Sequence, residues 1–274
     1  MGAALLLTGQ THREHCMDII WRILLQFIFR LSMGIAAAMG LTSPRWVNAG
    51  FFRVHLWVIM GGNTLAALVA WSRPHDWTPR VLITSLAVAL TVLAYFGAVV
   101  WLYEQHRWGR WMLWGVAGLA FIAATAMFEA GLTAPMLTSL KVLDIVSSGL
   151  LLGSTITAMF LGHWYLNHPG MELAPLRRLV LLMAASVILR SVAAGIGLGM
   201  EISAVEKATA WWLMILLRWC AGLGLTFVLA WLTWQTLKVP NTQSATGILY
   251  AAVILTFIGE LTSQLLSADA AYPL

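Results

Sequence analysis

The sequence predicts an all-α fold, a polytopic membrane bundle of about eight transmembrane helices joined by short loops. Three observations predict it. Hydrophobic residues make up 60% of the 274 residues and charged residues only 10%, where a soluble domain carries roughly a quarter. The apolar residues fall in long runs near the ~20 residues that cross a bilayer. The stretches between runs are short, which leaves no room for a domain outside the membrane. Helices must carry the spans, because lipid leaves unpaired backbone groups unsatisfied. A β-barrel would need alternating strands of ~10 residues, and these runs are too long and too uniformly apolar. A mean hydropathy of +0.82 excludes a soluble enzyme, a nucleic-acid-binding domain and a disordered chain.

Residues 1–18 read as a short polar tail. Their apolar stretch is too short for a signal peptide and follows no basic residue. The first span, 19–41, closes at Gly40-Leu-Thr-Ser-Pro44. The second, 51–72, stops at Arg73-Pro74, and the third, 81–104, at Glu104. The fourth, 112–132, closes at Gly131-Leu-Thr-Ala-Pro135. The fifth, 140–166, stops before the turn at His168-Pro-Gly. The sixth covers 176–200. The seventh, 210–238, ends before Pro240, and the eighth, 246–267, follows the polar run Asn241–Gly247, polar enough to line a site on the far side of the membrane from residue 19, though helix capping by Ser or Thr explains it as well. Residues 268–274 form a second tail.

Charge and aromatic placement refine this plan. The net charge of +5 comes from scattered residues, with 13 Arg against 3 Lys, so no nucleic-acid partner is expected. Let A denote the side of the first span's N-terminal end and B the other. Basic residues divide too evenly between them for the positive-inside rule to orient the chain. Trp46, Trp101, Trp108, Trp111, Trp164, Trp231 and Trp234 fall near side B, and Trp21, Trp71, Trp77, Trp211 and Trp212 near side A. They read as aromatic belts. An offset of 91 relates the Gly40 and Gly131 closures, and also Gly62-Asn-Thr with Gly153-Ser-Thr. It suggests a 3+3 inverted repeat, a pattern common in transporters. Gly149-x-x-x-Gly153 and Gly195-x-x-x-Gly199 predict close helix packing. Cys16 and Cys220 are too far apart in sequence to suggest a disulfide framework.

Charges within spans are costly and ask for a partner or a task. Helix directions place Arg22, Arg30, Glu129, Asp144, Arg190, Arg218 and Glu260 in the A half. Ion pairs clamping the helices, such as Glu260 with Arg190 or Arg218, explain them. A polar cavity for protons, an anion, a quinone or a lipid headgroup is the competing explanation. The B half holds His55 and His163 at similar depth. Two neutral imidazoles on facing helices would ligate a haem b iron, with Arg53 beside a propionate. Both would also serve as interfacial hydrogen bonders. His12, His15, Cys16 and Met17 suit a metal by type, but a polar tail without a metal is the simpler reading. Glu104, His106, Arg107 and Arg110 read as a solvated turn. No P-loop, dinucleotide fingerprint, His-Glu-x-x-His or Cys-x-x-Cys occurs, and no catalytic residue is assigned. Three functions follow. The leading expectation is a redox-associated subunit binding haem b or a quinone beside other membrane or redox subunits. The alternatives are a proton- or ion-coupled secondary transporter and a non-catalytic subunit or assembly factor. The expected location is a bacterial cytoplasmic membrane.

Overall fold

A computed structural model describes residues 2–74, 77, 79–127, 135–168, 170–202, 208–239, 241–268 and 270–274, with side chains from Met17 onward except Pro135. Among them every regular element is helical: α1 (Gly2–Leu41), α2 (Ala49–Ser72), α3 (Arg80–Leu102), α4 (His106–Thr125), α5 (Pro135–Asn167), α6 (Ala174–Ile202), α7 (Thr209–Leu217), a π-helical stretch (Arg218–Leu225), α8 (Thr226–Thr236) and α9 (Thr242–Ala268). The segments from Thr209 to Thr236 run on without a break as one span.

Seven helices among the described residues are long and apolar enough to cross a membrane. The chain is thus a multi-pass helical bundle whose outer surface suits the lipid bilayer. The eighth rod, α4, falls short of this measure. Arg107, Arg110 and three tryptophans dilute its apolar run, and it ends at Thr125 rather than 132. Residues 128–134 lie outside the described residues. The expected polar tail differs too, because the backbone is helical from Gly2. No proline or turn sequence separates residues 2–18 from the span, so the helix propagates through them. Asn48 caps α2 by accepting from the Phe51 amide at 3.1 Å. Asn241, rather than a Ser or Thr, caps α9 through the Ser244 amide at 3.0 Å.

α1 and α5 form the most buried pair, and glycines set their crossing. A Cβ at Gly34 would collide with the Gly149 carbonyl, and one at Gly153 with the Gly34 backbone. The predicted Gly149/Gly153 contact therefore exists, and it is backbone against backbone. The Gly195/Gly199 expectation differs. A Cβ at Gly199 would meet nothing within 4 Å, and the tight position is Gly197, which lies against the Pro273 carbonyl. A crossing missing from the sequence reading joins Gly222 of the π-helical stretch to Gly259 of α9, where a Cβ on Gly222 would sit 2.6 Å from the Gly259 Cα. Gly62 and Gly153, equivalent under the proposed repeat, act differently: Gly62 faces only the Ile28 side chain, at 3.7 Å.

The aromatic belts hold in part. Trp71, Trp108, Trp111, Trp212 and Trp231 are exposed. Trp101 instead lies in the core, stacked on Phe52 at 4.1 Å between centroids. Arg80 lies over Trp71 at 4.5 Å and Arg178 over Trp46 at 4.6 Å, cation–π contacts that combine the basic and aromatic belts.

Candidate functional site

The A half of the bundle gathers charged side chains from five elements. Arg190 of α6 is fully buried and every nitrogen of it is engaged. Its Nε and Nη2 grip Glu260 side-on, at 2.9 Å to Oε1 and 3.1 Å to Oε2, the bidentate geometry that a guanidinium fork favours. Its Nη1 donates to Asp144 Oδ1, and Nη2 also reaches Ser263 Oγ at 2.9 Å. Asp144 turns its other oxygen to Arg30 Nη2 at 2.7 Å. Glu260 accepts from Ser148 Oγ at 2.6 Å and lies 3.5 Å from Arg218 Nη1. Arg218 Nη1 also donates to the Gly259 carbonyl at 3.1 Å.

The structure therefore brings five of the seven charged residues expected in the A half into one network, Arg30, Asp144, Arg190, Arg218 and Glu260, while Arg22 lines the adjoining cavity. Glu129 lies outside the described residues. The network is unfinished. Arg218 is fully buried, yet its Nε and Nη2 have no hydrogen-bond partner, and neither does Arg30 Nη1. That free Nε/Nη2 edge of Arg218 is the same edge with which Arg190 holds Glu260. A buried charged donor left unpaired costs about 1–3 kcal/mol or more. Among the described residues, three guanidiniums face two carboxylates. Arg218 also opens the π-helical stretch, and such irregular turns concentrate at functional positions.

Helical spacing explains why these residues converge. Asp18, Arg22, Gln26 and Arg30 recur every fourth residue along α1, which stacks them on one face. Lys141, Asp144 and Ser148 do the same on α5, and Glu260, Ser263, Gln264 and Ser267 on α9. All of these but Ser148 and Glu260 line a cavity of about 410 Å³ on the A side of the Gly34–Gly149 crossing. Residues 270–273 close one wall. Ser267 Oγ accepts from the Leu274 amide at 2.9 Å, and Ser263 donates to the Leu274 carbonyl. Glu201 Oε2 accepts from the Ala271 and Tyr272 amides at 3.1 and 3.2 Å. Gln264 is buried in this cavity with both amide atoms unpartnered. Gln264, Ser148, Ser263 and Glu201 were missed by the sequence reading. For the first three the signal was present, as the helical spacing of polar residues around Glu260 and Asp144.

The B-half residues are placed differently. His55 is buried between Phe51 and Phe160, at 4.2 and 4.5 Å between ring centroids, with Nδ1 on the Phe51 carbonyl. His163 is exposed, and its Nδ1 lies 3.3 Å from the Tyr250 hydroxyl. Arg53 lies over Trp57 at 5.5 Å. Among the described residues no cluster of three or more His, Cys, Asp or Glu forms a metal site. His12, His15 and Cys16 belong to residues whose side chains are not described.

No family model matches the chain, and no curated protein or solved structure is similar to it. The site's own chemistry therefore carries the functional reading.

Proposed function

We propose that this protein is a secondary transporter, and that the Arg30–Asp144–Arg190–Glu260–Arg218 network is its coupling site. One observation carries the reading. The network is buried at mid-bundle, incompletely satisfied, and continuous with a polar cavity on side A. A clamp kept only for stability would be neutral and fully hydrogen-bonded, because each unpaired buried polar group costs free energy. Ionisable residues facing a cavity inside a bundle are the usual furniture of ion-coupled transport. In this reading the carboxylates of Asp144 and Glu260 exchange protons or compete with solute for the three arginines.

The test is solute uptake by reconstituted proteoliposomes, read as current and as a change of internal pH, screened with anionic, cationic, zwitterionic and neutral solutes. At least one class should give saturable uptake by either readout, lost in Glu260→Gln protein that still elutes as a monodisperse peak. Absence of uptake from every class by both readouts removes the reading.

A redox-associated subunit holding haem b or a quinone through His55, His163 and Arg53 is the second reading. The depth of the two histidines on side B supports it. Their surroundings support it less, since His55 is enclosed by phenylalanines and His163 faces outward to Tyr250. A dithionite-reduced α-band lost in both His55→Ala and His163→Ala would promote it, together with its implied partner subunits. A non-catalytic subunit or assembly factor draws on no particular observation. Placement in a bacterial cytoplasmic membrane belongs with either of the first two readings.

A further inference from the structure

The cavity on side A has a chemistry of its own. Ser263 and Ser267 are already bonded to residue 274. The buried polar groups left to recognise a solute there are Arg30 Nη1 and the Gln264 amide. Arg30 has two of its three nitrogens occupied, Nη2 by Asp144 at 2.7 Å and Nε by Gln26 at 3.2 Å. Its remaining nitrogen can only donate, and a guanidinium donor is best met by an oxyanion. Gln264 offers one donor and one acceptor, so it asks for a ligand carrying both. Arg22, Lys141 and Asp18 also line the cavity. The volume of about 410 Å³ fits a small-molecule site.

We infer that this cavity binds a compound through one oxyanion group, a carboxylate or a phosphate, seated on Arg30, with a neighbouring hydroxyl or amine held by Gln264. The choice of anion deepens the transporter reading, and its coupling step rests on that reading. The oxyanion and Asp144 compete for the same guanidinium. Asp144 is faced by Arg30 from α1, by Arg190 from α6, by Arg218 from the π-helical stretch and by Lys141 on its own helix, with Glu260 of α9 sharing Arg190. When the oxyanion draws Arg30 away, Asp144 loses one of its direct partners and takes up a proton. One negative charge and one proton then enter the site together, so the charge within the bundle is unchanged.

The test uses the full chain purified in detergent and in phosphatidylcholine nanodiscs. Unfolding temperature is followed against lactate, succinate and inorganic phosphate, with choline chloride at matched ionic strength as control. At least one of the three anions should raise it saturably, and more so at acid than at neutral pH. Gln264→Leu should raise the unfolding temperature of the ligand-free protein, because an unpartnered amide is removed, and weaken the anion at least about tenfold. Asp144→Asn should bind without pH dependence. Nanodiscs containing phosphatidylglycerol separate the two sources of an oxyanion. Stabilisation by that lipid alone, lost in Gln264→Leu, assigns the site to a lipid headgroup. No stabilisation by any probe or lipid, or equal binding in Gln264→Leu, overturns the inference. With lactate, which stays a monoanion between mildly acid and neutral pH, pH dependence that survives in Asp144→Asn overturns the coupling step. Anion binding without any solute-driven uptake, by current or by internal pH, leaves the site standing and removes transport. Uptake of only cationic or neutral solutes does the reverse.

Discussion

The two halves of the bundle bury polar groups by opposite means. On side B several buried polar side chains turn back on their own helices. His55 bonds the Phe51 carbonyl, Thr233 the Leu229 carbonyl at 2.7 Å and Thr246 the Thr242 carbonyl at 2.7 Å. In the A half the partners come from other helices. Asp144 joins α1 to α6, and Glu260 joins α5, α6 and the π-helical stretch. Bonds within one helix satisfy a group whatever the neighbours do. Bonds across five elements tie helix positions together and, where they stay incomplete, leave room for a ligand. Unpartnered buried N–H groups occur also on Arg53, Trp101 and Trp164, and those of Arg30 and Arg218 differ in belonging to a charge network between helices.

This contrast can be broken in order of size. Glu260→Ala should have the largest effect. It strands Arg218 as a buried, unpaired charge and leaves Arg190 to share Asp144 with Arg30, at a cost of about 3–5 kcal/mol, measurable as a lowered unfolding midpoint in detergent. Gly153→Val attacks the α1–α5 crossing that holds the cavity's inner end. The new side chain meets the Gly34 backbone, and overpacking should destabilise by about 1–3 kcal/mol in the same assay. Asn63→Ala removes the buried bond of 2.9 Å to Ser32 that joins α2 to α1. A loss of about 0.6 kcal/mol, typical of such bonds between membrane helices, should follow. His55→Phe should be smallest, under about 0.5 kcal/mol, because its bond reaches only its own helix. His55→Phe should leave solute uptake intact. A large loss of uptake there would shift the functional centre to side B.

Much of the fold was legible because lipid imposes strong rules. Long apolar runs marked the helical rods, although α4 falls short of a span among the described residues, and their directions placed Arg30, Asp144, Arg190, Arg218 and Glu260 in one half. The pairing of Glu260 with Arg190 and Arg218 followed from charge. Other features were not legible, for physical reasons. The π-helical stretch at Arg218 widens one turn without any periodic signature. The docking of residues 270–274 depends on Glu201 and Gly197, which are distant in sequence and meaningful only once α6 lies beside α9. Gln264 was readable from its spacing of four from Glu260, but a lone amide in a span carries no charge to draw the eye. Depth likewise made His55 and His163 look equivalent, although rotation about the helix axis buries one and exposes the other.

One measurement separates a coupling site from a clamp most directly. It is the unfolding midpoint of a variant in which the whole network is made apolar at once: Arg30→Met, Asp144→Leu, Arg190→Met, Arg218→Met and Glu260→Leu. Buried ion networks replaced entire by well-packed apolar residues are often neutral or stabilising. If the network is kept for chemistry, the variant folds with a midpoint equal to or above that of the wild type. A variant that loses its midpoint or fails to assemble would show that these charges hold the bundle together, and would contradict the coupling-site reading.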